Sequence, residues 1–96
     1  MPTQNAKMDT VYYDKTGADL NEECEIRIDN QKIVVSYKDE EGMVVYKGND
    51  TGCGHFELKC PERNGRATLH QTPQSKILEG FWTEGGEEGF WKITLP

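Results

Sequence analysis

Apolar and polar residues alternate along most of the chain with a period of two, and no window of useful length places apolar side chains at helical spacing. Successive side chains of a strand point to opposite faces, so this pattern is that of half-buried β-strands separated by turn-forming residues. It predicts strands over residues 10–14, 24–30, 32–38, 43–48, 55–61, 66–72, 77–84 and 88–95. Residues 1–9 carry little pattern and are expected to be a flexible N-terminal tail, while 18–23 could hold a helical turn. The whole chain, 1–96, is expected to be a single β domain.

Registers follow from the requirement that apolar residues share one face, since a one-residue slip would scatter them. A two-residue turn at Asn30-Gln31 sets Ile28 against Ile33, Ile26 against Val35 and Cys24 against Tyr37, with Glu25, Arg27 and Ser36 on the other side. Asn64-Gly65 has the chemistry of a type I′ turn, whose two central residues need positive φ. It is expected to place Cys60 opposite Leu69 and Lys59 opposite His70.

Glu-Gly-Phe-Trp occurs at 79–82 and again at 88–91. With Gly85-Gly86 as the turn between them, Phe81 faces Phe90 and Glu79 faces Lys92 on one side of the hairpin. The other side carries Leu78 with Ile93, Gly80 with Trp91, and Trp82 with Gly89. Each tryptophan then lies across a glycine, and the two pack diagonally. Since Leu78, Ile93 and Leu95 accompany them, the tryptophan side is the core.

Composition narrows what such a domain does. With 34% hydrophobic and 29% charged residues, the core is thin. A formal net charge of −6 opposes sequence-independent binding to phosphate backbones or anionic lipid, so neither nucleic acid nor membrane is an expected partner. No basic start precedes an apolar run, and no stretch approaches the ~18 apolar residues of a membrane span. Cys24, Cys53 and Cys60 are odd in number and lie in no C-x-x-C spacing. Free thiols and a cytoplasmic location are therefore expected.

Eight short antiparallel strands joined by tight connections resemble the up-and-down barrels of the lipocalin and avidin class, a calycin-like architecture. The resemblance implies a closed barrel, which removes the unpaired edges of an open sheet; without closure the same strands would form a β-sandwich. It implies a shape and no particular ligand.

Two surfaces are candidates for function. Phe81 and Phe90 face away from the core, flanked by Glu79 and Lys92, with Glu84, Glu87 and Glu88 as an acidic rim. Exposed aromatics of this kind suit contact with another protein or a second copy of the chain. Alternatively, Tyr37, Tyr46, Phe56, Trp82 and Trp91 would line a cavity for a small apolar ligand, which could also satisfy the tyrosine hydroxyls. The leading expectation is thus a non-enzymatic binding protein acting as an interaction module, accessory or inhibitor, without a cofactor.

The segment Gly48 to His55 carries the remaining chemistry. Asp50-Thr51-Gly52 matches the triplet of retroviral-type aspartic proteases, but no apolar strand leads into it and no matching apolar-apolar-Gly segment follows. Cys53 and His55 could pair as nucleophile and base, yet lack a third orienting residue. A metal site from Cys53, His55 and either Cys60 or His70 has suitable ligand types. The expected register opposes it, because Cys60 points inward and His70 lies beside Lys59.

Overall fold

A computed structural model describes residues 3–14 and 16–96. Eight strands follow one another: β1 Gln4–Tyr12, β2 Ala18–Asp29, β3 Lys32–Asp39, β4 Gly42–Gly52, β5 His55–Cys60, β6 Gly65–Gln71, β7 Ile77–Glu84 and β8 Glu87–Thr94. Each pairs antiparallel with the next, and β8 pairs with β1, so the meander closes into a barrel. No helix among the described residues is long and apolar enough to cross a membrane.

Alternation fills the barrel. Ile33 and Val35, Val44 and Tyr46, and Phe56 and Leu58 are all buried, while the residues between them are partly or fully exposed. The β7–β8 hairpin has the expected register throughout, from Leu78 opposite Ile93 to Trp82 opposite Gly89. Gly85 and Gly86 take φ values of 57° and 90°, as a two-residue hairpin turn demands. Asn30 and Gln31 do likewise, at 50° and 69°, and place Ile28 opposite Ile33 and Ile26 opposite Val35.

Other expectations are corrected. Residues 4–9 form most of β1 rather than a tail, paired to β2 on one side and, from Lys7, to β8 on the other. Ala6 and Met8 are their only buried residues, and neither type favours strands by itself. Closure supplies the missing drive. Residues 18–23 continue β2 instead of forming a helical turn, through an irregularity in the ladder between Met8 and Thr10. Their alternation is weak because Glu22, opposite Met8, and Asp19, opposite Thr10, look into the open end of the barrel.

The β5–β6 register differs from expectation by four residues. Pro61–Arg63 forms a 3-10 turn that Asn64 ends with a φ of 51°, and Gly65 is already in β6 opposite Cys60. Pro61 fixes the φ that starts this turn, which a sequence reading centred on Asn64-Gly65 overlooks. A shift of four keeps every face, so Cys60 and Leu69 remain inside. It moves His70 from Lys59 to His55. The β2–β3 ladder stops at Glu25 opposite Ser36, one pair short of the expected Cys24–Tyr37 contact.

Candidate functional site

The strands run between two ends of different character. One is closed by the β2–β3, β4–β5 and β6–β7 connections; the other, bounded by the β1–β2, β3–β4, β5–β6 and β7–β8 connections, opens into a cavity of ≈ 690 Å³. Its walls include Met8, Tyr12, Tyr37, Trp82 and Trp91, with Arg63 and several carboxylates above them. A cleft of ≈ 380 Å³ lies alongside, where β2 and β3 part, and includes Cys24, Tyr37 and Met43.

The floor is aromatic. Trp82 and Trp91 stack with centroids 6.1 Å apart and planes 26° from parallel. Gly89 permits this, since a Cβ there would meet the Trp82 ring and the Val11 carbonyl. Gly80 has a different reason from the expected Trp91 contact: its Cβ would fall on the backbone of Thr68 in β6. Tyr12 stands edge-on to Trp82 at 5.6 Å, and Tyr37 edge-on to Trp91 at 6.0 Å. Trp82 Nε1 is buried without a hydrogen-bond partner.

Above this floor the inward positions turn polar. Glu84 follows Trp82 by two residues and Asp39 follows Tyr37 by two, so strand geometry points both toward the mouth. Tyr46 Oη donates to Glu84 Oε1 at 2.6 Å, and Tyr37 Oη reaches the same oxygen at 3.5 Å. Arg63 grips Asp39 with both guanidinium nitrogens, at 2.8 and 3.2 Å, and lies 3.8 Å from Glu84 Oε2. That fork holds the Asp39 carboxyl below its usual range. Burial, reinforced by Glu84, pushes the Tyr46 and Tyr37 phenols well above theirs. Tyr12 is raised chiefly by donating to Asp19, at 2.7 Å.

The structure divides both candidate residue sets. Phe81 and Phe90 face each other on the outside with Glu79 opposite Lys92, and Glu88 lies on the same outer face opposite Thr83. Glu84 and Glu87, expected to belong to that rim, line the mouth instead. The spacing Trp82-Thr83-Glu84 already places Glu84 on the tryptophan side, a signal legible in the sequence. Of the interior set, Tyr37, Trp82 and Trp91 line the cavity. Tyr46 is buried against Trp91 at 4.9 Å and serves by holding Glu84, while Phe56 is core near the closed end. Sequence reading missed Arg63, Asp39 and Tyr12, because they border one cavity only when three separate strand connections converge.

At the closed end, His55 Nδ1 and His70 Nδ1 are 3.1 Å apart, and His55 Nε2 is 3.3 Å from Glu57. Cys53 is exposed in the β4–β5 turn and Cys60 lies buried at the far end of β5. Among the described residues no group of three or more His, Cys, Asp or Glu side chains could hold a metal ion. Asp50 accepts from the Gly52 amide at 2.7 Å, as a turn-forming aspartate does.

Fold and site together define a closed, eight-stranded barrel with an aromatic-floored, carboxylate-rimmed mouth. No protein-family model, curated protein or solved structure matches the chain.

Proposed function

We propose that this protein is a non-enzymatic binding barrel that takes a small molecule into its open end. The observation that carries this reading is the ≈ 690 Å³ cavity over Trp82 and Trp91, within the size range of small-molecule sites. Inward-facing strand positions of a small barrel ordinarily fill with core side chains. Here they leave space and change to polar residues that are tied down by their neighbours, which is the form of a preorganised site. Three free cysteines, two of them buried, favour a reducing compartment such as the cytoplasm.

The test uses a neutral dye, N-phenyl-1-naphthylamine, whose emission rises in apolar surroundings. Wild-type protein should enhance it saturably, and Thr10→Trp, which fills the cavity from β1, should not. Equal enhancement by a Thr10→Trp variant that unfolds at the same urea concentration as wild type would sink the reading.

A second reading rests on the outer face. Val11 lies opposite Phe90 and Phe90 opposite Phe81, while the Tyr13 ring is 6.0 Å from Phe81. Tyr13, Phe81 and Val11 are 56%, 43% and 38% exposed, so an apolar patch crosses three strands. This face would receive another protein or a second copy. Chemical cross-linking of the intact protein should then yield a dimer or heterocomplex that Phe81→Asp abolishes; an unchanged pattern removes the idea.

A further inference from the structure

The cavity's aromatic rings and its charge point to one class of ligand. Among the described residues lining it, Asp19, Glu22, Glu23, Asp39, Glu40, Glu41, Glu84 and Glu87 are acidic, and Lys38 and Arg63 are basic. Eight against two is a net of −6, equal to the formal charge of the whole chain. The described residues elsewhere hold nine carboxylates and eight cations, close to balance. The net negative charge of the protein is therefore concentrated at one end. A concave, low-dielectric wall focuses such a field and raises the local concentration of ions of the opposite sign.

Charge alone would attract any cation, and the rings restrict the choice. The stacked tryptophans form a floor, and Tyr12 and Tyr37 stand on it with planes 90° and 84° to Trp82 and Trp91. All four rings border the one cavity, and the negative π-face of an aromatic ring favours a cation with an apolar surface over a strongly hydrated metal ion. Hydrogen bonding does not oppose this. The carboxylates closest to the floor accept from tyrosines and from Arg63 and remain oriented toward the mouth.

We infer that the mouth binds an organic ammonium ion, with its alkylated nitrogen among Tyr12, Tyr37, Trp82 and Trp91 beneath the carboxylate rim. This rests on the small-molecule reading above and adds the chemistry of the ligand. Anionic ligands are excluded by the rim, and neutral ones gain only the apolar contacts.

Isothermal titration calorimetry at low salt would compare phenyltrimethylammonium and benzylamine with benzyl alcohol and benzoate, probes of similar size. The cations should bind at least tenfold tighter than the alcohol, benzoate should show no binding, and the preference should shrink in 0.5 M NaCl. The exposed rim variant Glu22→Gln/Glu40→Gln/Glu41→Gln should weaken the cations and leave the alcohol unchanged. If the alcohol or benzoate binds as well as the cations, the ammonium inference fails while the pocket stands. If none of the four binds, both fail.

Discussion

Tyr46 Oη donates to Glu84 Oε1 across 2.6 Å, joining a tyrosine with no exposed surface to a carboxylate at the rim of the barrel. The contact is possible because Gly65, on β6, has no side chain: a Cβ there would collide with the Tyr46 hydroxyl. Core and mouth are thus mechanically linked. Glu84→Ala leaves a buried hydroxyl unpaired, which costs about 1–3 kcal/mol, and Tyr46→Phe removes a hydrogen bond to a charged group, worth a similar amount. Because both lose the same bond, the double variant should be less destabilised than the sum by about 1–2 kcal/mol. A double-mutant cycle in urea measures this, and strict additivity would contradict the contact.

The pattern of the chain was enough to place this pair's strands but not the pair itself. Period two, with the turns at Asn30-Gln31 and Gly85-Gly86, yields the β2–β3 and β7–β8 registers, because local turn chemistry and burial specify the same alignment. Where they diverge the reading fails. Pro61 extends the connection before Asn64, and residues 4–9 become a strand only because β2 and β8 lie on either side. The mouth was least legible. Its polar residues occupy inward positions, so they interrupt the very alternation by which strands are recognised, as at Asp19 and Glu22.

Gly89 should be intolerant of any side chain. Its Cβ would meet the Val11 carbonyl and come within 2.8 Å of the Trp82 ring. Gly89→Ala must displace either the β1–β8 ladder or the stacked tryptophans, an overpacking cost of about 3 kcal/mol. Gly85→Asn is the contrast. Its φ of 57° suits Asn and its Cβ would meet nothing closer than 3.9 Å, so stability should stay within about 0.5 kcal/mol of wild type. Urea unfolding followed by tryptophan emission distinguishes the two.

Acid should loosen the mouth through Asp39. Arg63 lowers the folded-state pKa of this carboxyl, so its contribution is fully present above the unfolded-state pKa, about 3.9. The contribution is lost as pH falls through the lower folded value. Wild type should therefore lose more stability than Asp39→Asn when the pH is taken from about 4.5 to about 2.5. Paired urea titrations at the two pH values measure the difference. Equal losses would mean that the Arg63 contact does not persist in solution.

Thiol reactivity probes the cleft beside the mouth. Cys53 is exposed in the β4–β5 turn, whereas Cys60 is buried at the end of β5 and Cys24 is buried on β2. Burial pushes the Cys24 thiol up to about 11, so near pH 8 it is both shielded and almost wholly protonated. Ellman's reagent should modify one thiol rapidly in the folded protein and the other two only after unfolding in urea, with peptide mapping placing the fast site at Cys53. Cys24 lines the cleft where the β2–β3 ladder has ended. Rapid modification at Cys24 as well would show that β2 swings away from β3, whereas slow modification shows the two strands held together beside the cleft in the folded protein.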